Sequence, residues 1–139
     1  MIQIALMFTY GSFVFAVDVF RAPLALAVVS VAVAAAATGF GMLLATTCRS
    51  QKQVEGVSTL VILTMSALGG SWFPLAFVPS WFRTIGHFTL NAWAMDAYQG
   101  LFWYGHGLVQ VLPEVGVLLL VAAGTSGLAV WFWYRRYPA

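Results

Sequence analysis

The sequence predicts an all-α integral membrane protein. Four transmembrane helices are expected, with a short extracytoplasmic helical hairpin, re-entrant or interfacial, between the third and the fourth. Three observations predict it. The 139-residue chain is 62% hydrophobic and 7% charged, with a mean hydropathy of +0.92, whereas a soluble domain carries about 25% charged residues. Four segments are apolar over much or all of the roughly 20 residues that a helix needs to cross hydrocarbon. Between the last two lies Ser66 to Gly105, which holds two prolines and four tryptophans. No internal repeat or linker divides the sequence, so residues 1–139 are expected to form a single transmembrane domain.

The first segment, Ile2 to about Val17, is short and carries Gln3 near one end. Asp18 can pair with Arg21 in the "DVFRAP" turn that follows. The second segment, Pro23 to Thr47, includes "ALAVVSVAVAAAATGFGMLLA". The third, Val54 to about Phe73, follows "CRSQKQ" and reaches Pro74. The fourth, Val115 to Tyr134, follows Pro113-Glu114 and stops at Arg135-Arg136. Glu55 and Glu114 open the third and fourth spans, where negative charge suits a helix N-terminus.

Gly69-Gly70 weakens the end of the third helix, and Pro74 stops it within a turn or so. "FVPSWFRTIG" then predicts a short helix, with Pro79 in its first turn and Gly86 at its end. Phe77, Trp81, Phe82 and Ile85 recur at roughly helical spacing and leave Arg83 on another face. Asn91 is the expected cap of a second short helix, "AWAMDAYQGLF", with Trp93, Ala97 and Leu101 along one side. Neither helix is long enough to cross a bilayer. Both can lie in the interface, where tryptophan and tyrosine are favoured, or dip back as a hairpin buried in protein. Two readings follow: a passive anchor, or an outer lid over a path.

Lysines and arginines near the span ends set the orientation. Arg49 and Lys52 follow the second span and Arg135 and Arg136 end the fourth, against Arg21 and Arg83 on the opposite side. The Cys48–Glu55 loop and both termini are therefore expected in the cytoplasm, with the aromatic stretch outside.

Small residues crowd the second and fourth spans: Ala32, Ala34 to Ala37, Gly39 and Gly41, then Gly116, Gly124 and Gly127. In lipid such residues let helix backbones approach and gain van der Waals contact. They serve either packing within the bundle or a seam between subunits. Trp131, Trp133 and Tyr134 beside Arg135-Arg136 match an interfacial belt at the end of the last span.

The chain contains no GxxxxGK[ST] phosphate loop, HExxH or GxSxG motif, so no enzymatic activity and no cofactor are expected. The basic residues are scattered, which is no footprint for nucleic acid. His87 and His106 lie far apart, without metal-ligand spacing. Cys48 is the single cysteine and is expected to act as a small apolar residue. Asp18, Glu55, Asp96 and Glu114 all fall at or beyond span ends, whereas ion-coupled carriers keep ionisable groups inside the membrane. Energy for transport is therefore expected from outside this chain. Met1 runs straight into apolar sequence with no basic n-region or small-residue cleavage site, so a signal peptide is not expected.

The run "LGGSWFPLAFVPSWFRTIGHFTLNAWAMDAYQGLFWYG" resembles the C-terminal half of ABC-2 type transporter permeases. The matching residues are Gly69, Gly70, Phe73, Pro74, Pro79, Trp81, Asn91, Trp93, Ala94 and Ala97; Leu90 stands where the family often has proline. Upstream, "TGFGMLLATTCRSQKQ" resembles the family's preceding span and its cytoplasmic exit. A final span with a short basic tail fits as well.

What the resemblance implies is export across the inner membrane. Two permease copies, alike or different, pair and dock two ABC ATPase domains on the cytoplasmic side, so ATP is hydrolysed on a separate subunit. The cargo is a drug, lipid, glycan, peptide or other amphiphile. The family's re-entrant helices close the outward end, which here corresponds to about Leu75 to Phe102. That assigns Gly69, Gly70, Phe73, Pro74, Pro79, Trp81, Asn91, Trp93 and Asp96 to an outer gate. Arg49, Gln51, Lys52 and Glu55 become the expected cytoplasmic contact with the ATPase. The family has six spans, and these four resemble its third to sixth. The alternative is a small four-span structural or assembly protein that binds a partner through its outward aromatic hairpin.

Overall fold

A computed structural model of the chain describes residues 2–15, 22–72 and 77–136. Among these residues every regular element is helical: α1 (Ile2–Phe15), α2 (Pro23–Thr47), α3 (Gln51–Leu68), α4 (Ser80–Gly86), α5 (Leu90–Phe102) and α6 (Leu112–Arg136). A 3-10 turn, Leu108–Val111, leads into α6. Among the described residues two helices are long and apolar enough to cross a membrane, α2 and the continuous stretch Leu108–Arg136. At 1.5 Å per residue, the 25 residues of α2 reach about 37 Å, more than the ~30 Å of hydrocarbon. The 14 residues of α1 reach about 21 Å and the 18 of α3 about 27 Å.

The two long helices lie side by side and parallel. Near their N-termini Ala25, Val29 and Ala32 pack with Val111, Val115 and Leu118. Halfway along, a Cβ placed on Gly39 would sit 2.6 Å from the hydroxyls of Thr125 and Ser126 and 2.9 Å from the Ala122 carbonyl. Only a residue without a Cβ allows that approach, so Gly39 serves packing within the chain. Gly41, Gly116, Gly124 and Gly127 instead have open space where a Cβ would go. At the C-terminal ends the Arg136 guanidinium donates to the carbonyls of Thr46 (2.9 Å) and Cys48 (2.6 Å). Carbonyls at a helix C-terminus have no partner within the helix, and a cation from α6 satisfies them. Arg135 stacks over Trp131, 4.3 Å from the ring centre.

A parallel pair obliges the intervening chain to travel back along its whole length. The helix α3 starts that return. It is capped by Ser50, whose hydroxyl accepts from the Gln53 N–H at 3.2 Å, while the Gln53 side chain accepts from the Arg49 N–H at 2.9 Å. The helix thus begins at Gln51, three residues before the expected Val54, and Glu55 falls beyond its first turn. Its far end also differs from expectation. The helix stops at Leu68, short of Phe73, because Gly70 takes a left-handed φ of 80° and Ser71 N–H returns to the Ser66 carbonyl at 3.1 Å. That six-to-one bond around a left-handed glycine is a Schellman ending. Phe73, Pro74, Asp18 and Arg21 lie outside the described residues.

Two short helices complete the return. Pro79, with φ −57°, caps α4. The cap of α5 is Thr89, whose hydroxyl accepts from the Ala92 N–H at 3.4 Å, so Asn91 is not the cap that the sequence suggests. Either side chain can cap a helix; Asn91 is engaged elsewhere. Along α5, Ala97 and Leu101 are buried against α2 and α6, and Trp93 packs beside them, as the spacing predicts. In the first turn of α6, Glu114 places Oε2 in a buried position with no hydrogen-bond partner among the described residues.

Candidate functional site

Of the residues expected to form a gate, Gly69, Gly70, Asn91, Trp93 and Asp96 lie where α3, α4 and α5 meet. Gly69 is buried at the end of α3, and a Cβ there would collide with the Asn91 side chain and lie 2.9 Å from the Ala92 nitrogen. Asn91 uses its amide to donate to Ser66 Oγ at 3.0 Å and Ser71 Oγ at 3.3 Å. Gly70, buried and left-handed, turns the chain away between those two serines. The second glycine supplies a turn and the first supplies proximity.

Trp93 and Asp96 both meet His87. The indole N–H of Trp93 donates to the His87 carbonyl at 2.7 Å, and the two rings stand edge to face with centres 5.4 Å apart. His87 Nδ1 lies 2.8 Å from the Arg83 carbonyl, which can only accept, so Nδ1 carries the proton. Its Nε2 lies 2.7 Å from Asp96 Oδ2. This contact fastens the end of α4 to the middle of α5, with both side chains partly exposed. His87 has no ligand spacing in the chain; the available signal was nine residues of separation from Asp96 across a tight turn between two short helices.

A second tie runs from α5 to α2. The Tyr98 hydroxyl donates to the buried Ser30 hydroxyl at 3.2 Å. Ser30 is seven residues past Pro23, about 10 Å along α2 from its start. Pro79 and Trp81 take no part in these ties: Pro79 is exposed, and Trp81, 63% exposed, contacts the edge of Phe82. The cluster supplies hydrogen bonds and aromatic faces, which suit holding two helices in register.

The residues expected to meet an ATPase lie at the opposite end. Arg49, Gln51, Lys52 and Glu55 are all exposed, at and just after the start of α3. Arg49 borders a cleft of about 110 Å³ together with Thr46, Cys48, Trp133 and Arg136. The basic loop after α2 and the basic end of α6 therefore form one surface, joined through Arg136.

Residues 1–103 match the family model described as ABC-2 type transporter. Among curated proteins, the chain is 25% identical over 87 residues to the linearmycin resistance permease protein LnrN of Bacillus subtilis (strain 168). That alignment covers 63% of this chain and 23% of the relative's length. No solved structure matches.

Proposed function

Because this chain belongs to the ABC-2 type transporter family, we propose that it is the permease subunit of an ATP-driven exporter, paired with a second permease copy and energised by a separate ABC ATPase. The observation that carries this is the family match over residues 1–103. Membership makes the chain a membrane component of a transporter, and in general implies an ATPase partner and pairing. The cargo is a drug, lipid, glycan or other amphiphile; similarity to a resistance permease favours a drug.

In this reading α1, α2, α3 and α6 cross the inner membrane, and they correspond to the last four spans of a six-span domain. The parallel arrangement of α2 and α6 supports a crossing by α3, since the chain must regain the far end before α6 begins. The shortfall of α3 supports a re-entrant hairpin. It is about 10 Å shorter than α2, and Tyr98 meets Ser30 about 10 Å below the start of α2. The hairpin then occupies the depth that α3 leaves unfilled. Irregular backbone at such a depth is tolerated where protein or a water-filled path surrounds it, which is the setting of a gate. The basic surface around Arg49, Lys52 and Arg136 faces the cytoplasm, as positive charge near span ends favours.

The test is reconstitution of the protein with a candidate ABC ATPase subunit from the same cell. ATP-dependent loss of a fluorescent amphiphile from loaded proteoliposomes is expected. No association with any ATPase, alongside capture of a structural partner through the aromatic hairpin, would support the assembly-protein alternative instead.

A further inference from the structure

A groove of about 490 Å³ opens beside the α4–α5 turn, lined by Arg83, Thr84, His87, Phe88 and Trp93. That volume falls in the range of small-molecule sites. Its wall is largely aromatic, and Phe88 is 89% exposed. Its charges are unequal. His87 is matched by Asp96 at 2.7 Å, whereas the Arg83 guanidinium has no hydrogen bond or ion pair among the described residues. The His87 ring also holds the Arg83 carbonyl at 2.8 Å, which anchors the arginine's backbone at the groove. One uncompensated guanidinium above an aromatic trough complements a molecule with an anionic head and an apolar body. Guanidinium is well suited to phosphate, which it can contact through two parallel hydrogen bonds.

We infer that this groove is a binding site for an anionic phospholipid of the leaflet that surrounds the hairpin, with its phosphate on Arg83 and its upper acyl chain along Phe88 and Trp93. The inference rests on the reading of the hairpin as a membrane element. A lipid is the occupant because the exposed tryptophans and phenylalanines of the hairpin, Trp72, Trp81, Phe77 and Phe88, form the kind of aromatic surface that settles at the headgroup level. Lipid held there would bear on the end of α4 through Arg83, and so on the tie between His87 and Asp96.

The test is native mass spectrometry of the protein released from nanodiscs containing equal phosphatidylglycerol and phosphatidylcholine. The wild type should retain phosphatidylglycerol preferentially. Arg83→Gln, at an exposed position, should reduce that preference about fivefold, the usual contribution of one basic residue to anionic lipid. Phe88→Ala should lower retention of both lipids together. Inorganic phosphate should not displace the lipid, because it lacks the apolar body; displacement would identify a free-anion site and overturn the inference. An unchanged preference in Arg83→Gln, or unchanged retention in Phe88→Ala, would also overturn it. Both leaflets of the disc present the same lipids, so a reversed orientation of the chain leaves these outcomes intact and is tested separately below.

Discussion

The Asn91 amide donates to the Ser66 hydroxyl at 3.0 Å, joining the first turn of α5 to the last turn of α3 across 25 residues of sequence. The same amide reaches Ser71, in the loop that leaves α3. One side chain thus holds a helix end and its exit. Interhelical hydrogen bonds of this kind contribute about 0.5–2 kcal/mol in membranes. Asn91→Ala is expected to destabilise the purified protein by about 1 kcal/mol. Gly69→Ala should cost more, about 2 kcal/mol, because its Cβ must displace Asn91 and the backbone of α5. Detergent-titrated unfolding measures both; equal effects would mean that the close approach is not what Gly69 provides.

Gly70 is the conformational pivot of the same joint. Its φ of 80° costs a residue with a Cβ about 1–2 kcal/mol. Gly70→Leu is expected to impair export in the reconstituted complex while the chain still inserts into membranes. Normal transport by this variant would reduce the hairpin to an interfacial anchor.

The glycines of the two long helices should divide into two groups. Gly39→Ala forces α2 from α6 and should cost about 1–3 kcal/mol in the isolated chain. Gly124→Ala meets nothing within 4 Å and should leave that stability unchanged. If Gly124→Ala weakens only the paired permease, measured by crosslinking in membranes, the open glycine face is a seam between copies. An effect on the single chain would contradict the packing described above.

Orientation has a direct readout. Gln51 is exposed at the start of α3, on the side read as cytoplasmic. Gln51→Cys in a Cys48→Ala background should resist a membrane-impermeant thiol reagent in intact cells and react after lysis. Rapid labelling of intact cells would invert the topology.

Much of this architecture was legible in the residues themselves. The long apolar run of α2, the basic last turn of α6, the proline before α4, and the Trp93–Ala97–Leu101 face each announce a local property. The misreadings share one cause. Asn91 can cap a helix or bridge two, and only the arrival of Ser66 from 25 residues away selects the bridge. Val54 and Phe73 were natural limits by hydropathy, but α3 is bounded by hydrogen bonds, at Ser50 and around Gly70. His87 and Asp96 look unrelated until a tight turn folds α5 back on α4.

What the sequence determined alone was the solvent and the pieces: a chain with too few charges for water, cut into helices by proline, glycine and arginine. Those are local matters, since transfer into lipid and the breaking of a helix depend on neighbouring residues. The tertiary structure decided the partnerships, because contact between helices depends on residues far apart in the chain. Of the glycines in the two long helices, it set only Gly39 within Cβ reach of the other; it brought Arg136 to the carbonyls of α2 and left Arg83 unmatched, among the described residues, beside an aromatic groove. Small residues permit close approach wherever they occur, and the path of the backbone selects which of them is used.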